Sequence, residues 1–274
     1  MAGILKRFFK EGIIHGIRLI KDSDYRDYCR LLTLYEKLPR FSEKLLRAGK
    51  LKLIVPDLPS FLYSYHELFV DNIYKFESNK DNPIIIDIGA NIGLSILYFK
   101  KIYPKAQITG YEADPYIFAC LKQNLENNLA EDVVIENKAV WIQNTKLAFF
   151  SEKADGGRIE SPQKTNSGTI EVDAIDVKEI VKKHSKIDLL KIDIEGAEHQ
   201  VVPECSGLLD NVRQIFVEYH SIEGEKQNLD KILAVLINAG FTINIQSVNP
   251  PSSPYIYECH HGAFNMQLNI FGKK

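Results

Sequence analysis

No stretch of the 274-residue sequence approaches the roughly 18 consecutive apolar residues of a membrane-spanning helix. Cysteine is sparse: Cys29, Cys120, Cys205 and Cys259 stand far apart and form no CxxC pair. The usual zinc and dithiol motifs are thereby excluded, and free thiols are expected rather than a disulfide framework. An excess of either charge is missing too, because 34 Lys and Arg face 36 Asp and Glu for a net charge of -2. With no basic stripe interleaved with aromatics, no nucleic acid partner is expected. There is no internal repeat, no low-complexity tract and no GxGxxG fingerprint of a dinucleotide fold.

The remaining composition, 45% hydrophobic and 26% charged, is that of a globular protein able to bury a full core. Residues 4–20 mix Ile4, Leu5, Phe8, Phe9, Ile13, Ile14, Ile17, Leu19 and Ile20 with Lys6, Arg7, Lys10 and Arg18. A secretory signal would have a longer uncharged centre and a small-residue cleavage site, so a cytoplasmic protein is expected. The segment reads as a helix packed on the domain or mediating dimerisation, or as a basic amphipathic helix in peripheral contact with an anionic membrane.

Residues 1–59 read as an N-terminal helical extension. It holds a helix opening at Ser23 or Asp24, a short helix over 42–48 stopped by Gly49, and a strand over 51–55. From 60 to 274 the pattern alternates strand and helix. Strands are expected at 84–88, 107–112, 133–136, 187–192, 214–219 and 241–246, with a last strand or hairpin near the C-terminus. Helices are expected at 93–101, 115–127, 175–184, 197–209 and 229–239. This order predicts an α/β fold with a doubly wound, mostly parallel sheet. A hairpin insertion near 145–172 turns at Gly156-Gly157, and the aromatic stretch 60–76, with Tyr65 and His66, is placed as a lid over a pocket.

The organising stretch is 84–93, Ile-Ile-Ile-Asp-Ile-Gly-Ala-Asn-Ile-Gly, a buried strand breaking sharply into a helix. The first such turn of an open α/β sheet holds nucleotide-like ligands. Gly89 and Gly93 permit close approach or positive φ, while Asp87 and Asn91 add polar atoms. Asn91 occupies the place where a diphosphate cradle needs glycine, which favours a monomeric adenosine cofactor over NAD. Glu112, ending the next strand, suits two ribose hydroxyls and repels a 2′-phosphate. Asp114 is a helix cap that also reaches the adenine side with Tyr116, and Asn137, Ala139 and Val140 are further candidates for the adenine pocket.

A second dense region is Lys191-Ile-Asp193-Ile-Glu195-Gly-Ala-Glu198-His199. So many ionisable groups at the end of a parallel strand are costly in a core and should be paired or face a cleft. Lys191, Asp193 and Glu195 are the candidate catalytic residues here, with His199 a weaker one. His220, near the end of the following strand, is the candidate base for a hydroxyl. Asp193, Glu218 and His220 offer oxygen and nitrogen ligands for Mg²⁺ or a similar ion. Arg158, in the hairpin loop, is a candidate for an anionic acceptor group such as a uronate or phosphate.

Asp87-Ile-Gly-Ala-Asn-Ile-Gly93 resembles motif I of the class I methyltransferases and is similar to the FkbM family in particular. Lys191-Ile-Asp-Ile-Glu-Gly-Ala-Glu198 resembles that family's second signature, and the likeness spans roughly residues 60 to 246. It implies a Rossmann-like, seven-stranded sheet whose last strand is antiparallel, with S-adenosylmethionine as cofactor. The implied reaction is inverting methyl transfer to a hydroxyl of a small molecule, most often a sugar or glycan. Two rival readings are a cofactor-binding protein without catalysis and an NAD-dependent oxidoreductase.

Overall fold

The computed structural model describes residues 14–35, 37–130, 132–154, 156–159, 168–256 and 264–274. Residues 14–21 are helical, with Ile14, Ile17 and Ile20 exposed. Residues 4–13 of the segment read as a membrane or dimer contact lie outside the described residues, as does Cys259. Cys29, Cys120 and Cys205 are free thiols. Among the described residues no helix is long and apolar enough to cross a membrane.

Helix α1 (Ser23–Tyr35) is followed by β1 (Lys44–Ala48) and β2 (Leu51–Val55), which pair antiparallel. The helix expected over 42–48 is therefore a strand. Gly49, at φ 59°, lets a two-residue turn close the pair, and Leu46, Ala48, Leu53 and Val55 bury one face. Five residues are too few to stabilise a helix, whereas a hairpin with an apolar face gains five ladder pairs. Helix α2 (Leu58–Tyr65) starts at Asp57, whose carboxylate accepts from the Ser60 amide, and runs on into a π-helical turn, His66–Val70.

The core follows with β3 (Ile84–Ile88), α3 (Leu94–Ile102), β4 (Gln107–Tyr111), α4 (Pro115–Asn127) and β5 (Val134–Glu136). An excursion then forms β6 (Ala139–Trp141), β7 (Thr145–Phe150), β8 (Arg158–Ile159) and β9 (Thr169–Asp176). The chain finishes with α5 (Val177–Lys183), β10 (Leu189–Ile192), α6 (Glu198–Glu204), β11 (Gln214–Ile222), α7 (Leu229–Asn238), β12 (Thr242–Ser247) and β13 (Phe264–Lys273). Helix α6 is shorter than expected, because Pro203 falls in its last turn and has no N–H to donate back to the His199 carbonyl.

The main sheet has seven strands in the order β12-β13-β11-β10-β3-β4-β5. β13 runs antiparallel to both neighbours and every other pairing is parallel, so the doubly wound architecture with a reversed last strand is present. The excursion is more than a hairpin: β7 and β9 pair antiparallel, β8 extends one edge, and β6 joins β9 in parallel, giving a separate four-stranded sheet. One hydrophobic cluster joins α1, β1, β2 and α2 to α3 and α4 on one face of the main sheet, and a second fills the other face beneath α5, α6 and α7. Chain order reverses between β3 and β10, which opens a crevice at their carboxyl ends.

Candidate active site

The turn after β3 stands in conformations that its residues are chosen to permit. Gly89, Asn91 and Gly93 have φ of 81°, 48° and 90°, and the Gly89 and Ala90 amides donate to the Tyr111 carbonyl at 3.0 and 2.9 Å. Gly93 opens α3 as its cap and does not border the crevice; a Cβ there would meet the Leu121 side chain at 2.7 Å. Asp87 lies beneath the turn, fully buried, and also does not border the crevice. It accepts from Ser95 Oγ at 2.5 Å.

Lys191 sits over Asp87 with Nζ 3.2 Å from Oδ1, a buried ion pair. The same Nζ donates to the Gly89 carbonyl at 2.7 Å and lies 3.3 Å from Asp193. Burial opposes the lysine's charge, but Asp87 and Asp193 outweigh it and hold Lys191 above its ordinary pKa. Burial raises Asp87 despite the pull of Lys191 and Ser95.

Beside the turn is a cavity of about 620 Å³ bordered by Gly89, Asn91, Glu112, Ala139 and Val140, with Phe149 and Ile159 as a roof from the inserted sheet. Glu112 accepts from the Asn91 amide at 2.9 Å through one oxygen and from the Asp114 amide at 2.8 Å through the other. Each oxygen keeps a lone pair. Burial pushes Glu112 up to about 7 against those two amides. Asp114 borders the cavity with both oxygens engaged: one caps α4 through the Tyr116 and Ile117 amides, and the other accepts from Ser151 of the insertion. Asn137 is exposed and lies outside the cavity, because its amide donates to the Glu112 and Ala113 carbonyls. It braces the wall it was expected to line.

A second cavity, about 870 Å³, shares Gly89, Asn91, Ala154, Asp193 and Glu195 with the first. One wall is α2 and its π-turn, with Ser60, Tyr63, Ser64 and Glu67. Tyr65 and His66 do not reach it: Tyr65 stacks on Phe69 in the core and His66 pairs with Asp71 at 3.1 Å. The other wall carries Asp193, Glu195, Glu218 and Gln267. Burial, then the charge of Asp193, pushes Glu218 up to about 8, while Gln267 donates to it. Burial and Asp193 likewise push Glu67 up to about 7, against the hydrogen bond from Tyr63.

His220 is 2% exposed and does not border either cavity. Its Nε2 lies 3.7 Å from Glu195, and its Nδ1 donates to Glu198 at 3.2 Å. Burial works against its proton, but Glu195, Glu198 and Glu218 prevail and raise His220 well above the ordinary imidazole value. Glu198 is wholly buried, is held by the Ile194 and Gly196 amides, and is lowered because His220 overcomes the effect of burial. The expected metal trio contained Glu218; the atoms that converge, within 4.8 Å of one another, belong to Asp193, Glu195 and His220. His199 is occupied with the Gly196 carbonyl at 2.6 Å. Arg158 packs over the Phe150 ring at 4.9 Å and is not a wall residue, and among the described residues no arginine borders the crevice. Tyr63, Glu67, Gln267 and the buried Glu198 complete the site.

The sequence model described as "Methyltransferase FkbM domain" matches residues 87–243, more than half of the chain. "Methyltransferase sdnD" of Sordaria araneosa is 26% identical over 235 residues, covering 73% of this chain and 89% of that one. "31-O-demethyl-FK506 methyltransferase FkbM" of Streptomyces tacrolimicus is 23% identical over 218 residues, covering 66% and 82%. "2-O-methyltransferase NoeI" of Sinorhizobium fredii is 27% identical over 162 residues, covering 53% and 66%.

Proposed function

The chain belongs to the FkbM family of methyltransferases, and on that footing we propose that it transfers a methyl group from S-adenosylmethionine to a hydroxyl of a small molecule, with a sugar or glycan as the acceptor class. The observation that carries this reading is the joining of the two cavities at Asp193 and Glu195: a glutamate with spare lone pairs on one side, a carboxylate-walled chamber on the other. The names of two relatives, a 31-O-demethyl-FK506 methyltransferase and a 2-O-methyltransferase, support oxygen as the accepting atom.

Bound S-adenosylmethionine supplies a methyl already activated as a cationic sulfonium. The protein therefore has to hold the cofactor, align a hydroxyl and accept one proton. Glu112 takes the ribose hydroxyls with its remaining lone pairs, while the turn at Gly89 lets the ligand approach the backbone. Asp193 and Glu195 border the chamber and meet the acceptor first, so the role of base expected of His220 passes to them. His220 serves as the buried cation that sets the charge and placement of Glu195.

The first test is calorimetry with S-adenosylhomocysteine and, in parallel, NAD⁺. The former alone is expected to bind. Two hydrogen bonds to a charged group are worth about 3 kcal/mol or more, so Glu112→Ala should lose about a hundredfold in affinity. Because Glu112 accepts best when ionised and titrates at about 7, affinity should be flat above that pH and fall by up to about tenfold per unit below it. Glu112→Gln should flatten the profile. Binding of NAD⁺ instead, or an unchanged Glu112→Ala, would overturn the reading.

The convergence of Asp193, Glu195 and His220 also favours a divalent cation there. Two carboxylate oxygens and one imidazole fit such an ion provided that it displaces the Nε2 proton of His220 and so takes over the place of the buried cation, and Glu198 on the far nitrogen is the second partner that metal-bound histidines carry. The ion would polarise the acceptor oxygen. Mn²⁺ should then bind the full chain in a ratio of one to one by paramagnetic resonance, and both Glu195→Gln and His220→Ala should lose it while retaining S-adenosylhomocysteine. Binding of Mn²⁺ unchanged in both variants would place the ion elsewhere.

A further inference from the structure

The charged groups of the acceptor chamber are mostly acids, Asp57, Glu67, Asp193, Glu195 and Glu218, set among apolar and neutral polar residues. Glu67 projects from the π-turn that ends α2, and Glu218 comes from β11, both bordering the same 870 Å³ space as Asp193 and Glu195. The cationic wall residue opposing them is Lys191, which is already committed to Asp87, Asp193 and the Gly89 carbonyl. Neither Glu67 nor Glu218 borders the cavity that holds Glu112, so neither is taken up by the ribose end. Glu67 is oriented by a neutral donor, the Tyr63 hydroxyl, which is itself bonded to Asn249; Glu218 accepts from Gln267 and shares the cations His220 and Lys191 with the other acids around them. Once ionised, above about 7 for Glu67 and about 8 for Glu218, these carboxylates accept from hydroxyl or ammonium hydrogens and repel an anion in a space partly shielded from water.

We propose that Glu67 and Glu218 make the acceptor end of the crevice select a polyol that carries no negative charge near the methylated hydroxyl, an amino-bearing polyol being the best match. The inference rests on the methyltransferase reading of this site. It reverses the expectation drawn from Arg158, which spends its guanidinium on Phe150.

Three probes that share one ring and differ in charge test it: methyl glucoside, glucosamine and glucuronate. At about pH 8.5, where both glutamates carry charge, the full chain is saturated with S-adenosylhomocysteine, whose binding is measured separately by calorimetry, and saturation-transfer NMR then reports contact with each sugar. Glucosamine and methyl glucoside should receive saturation at least about fivefold more strongly than glucuronate. Glu67→Gln and Glu218→Gln should each narrow that gap while S-adenosylhomocysteine still binds. Tyr63→Phe, which keeps both carboxylates, should preserve the exclusion of glucuronate. Contact with glucuronate equal to that with glucosamine, no contact with any of the three, or a gap unchanged in both glutamate variants would overturn the proposal. Failure of S-adenosylhomocysteine to bind the wild type would instead remove the reading beneath it.

Discussion

Gly89→Ala is expected to eliminate S-adenosylhomocysteine binding and to destabilise the fold by on the order of 4 kcal/mol or more, well beyond an ordinary point substitution. Two costs coincide. The residue sits at φ 81°, where an L side chain is strained by about 1–2 kcal/mol. The added Cβ would also stand 1.7 Å from the Asp193 carbonyl oxygen and 2.9 Å from its carbon. That obstacle is backbone, held in place because the Asp193 amide donates to the Ile88 carbonyl at 3.1 Å and β10 pairs with β3 from Leu189 to Ile192. Relief requires opening either the turn or the end of β10, and both border the two cavities. Gly93→Ala is the matched control. Its φ is 90°, but the Cβ would meet the end of the Leu121 side chain at 2.7 Å, which can rotate away. It should therefore cost only about 1–3 kcal/mol. Urea unfolding and calorimetry on both variants decide the matter. A Gly89→Ala protein that binds S-adenosylhomocysteine within tenfold of wild type would show that the turn does not need its close contact with β10.

The parallel strands were readable because burial on both faces turns them into unbroken runs such as Ile84-Ile85-Ile86. The reversal of β13 was not in the pattern; it came with the family likeness. Residues 42–48 misled because so short a segment, with Leu45, Leu46 and Ala48 as its apolar residues, satisfies helix and strand periodicities equally, and only the partner strand decides. Depth was the other blind spot. Alternation along β11 gives the side on which His220 lies but not that Glu195 covers it, nor that β13 pairs with the strand as far as Ile222. Glu198 reads as an ordinary acid in a first helical turn, and its total burial follows from the 194–196 turn folding back over it. The stretch 60–76 covers the crevice as expected, but through Tyr63 and Glu67 rather than Tyr65 and His66, because the way α2 is laid over the strand ends turns Tyr65 into the core and leaves His66 beside Asp71.

Lys191→Met should cost about 3–5 kcal/mol of stability, the penalty for removing one partner of a buried ion pair. The lysine is 3% exposed and Asp87 is fully buried, with Ser95 as the carboxylate's other polar partner. Within the variant, burial and the charge of Asp193 hold Asp87 up against the Ser95 hydrogen bond, with the pull of Lys191 gone, so its folded pKa lies above the unfolded value near 4. The folded state holds that proton more tightly than the unfolded chain does, so stability is greatest in acid and declines as pH climbs between the two values. The deficit against wild type should accordingly be small near pH 4 and largest above neutrality. Asp87→Asn combined with Lys191→Met removes both charges and should recover at least about 1 kcal/mol of the loss, the scale of coupling expected for residues in contact. This pair of variants separates the two roles open to Lys191. If the double variant refolds and binds S-adenosylhomocysteine, the lysine's main task is to neutralise Asp87 and brace the Gly89 carbonyl under the cofactor turn. If Lys191→Met is as stable as wild type at every pH and merely inactive, the charge belongs to the chemistry and the bracing role is wrong.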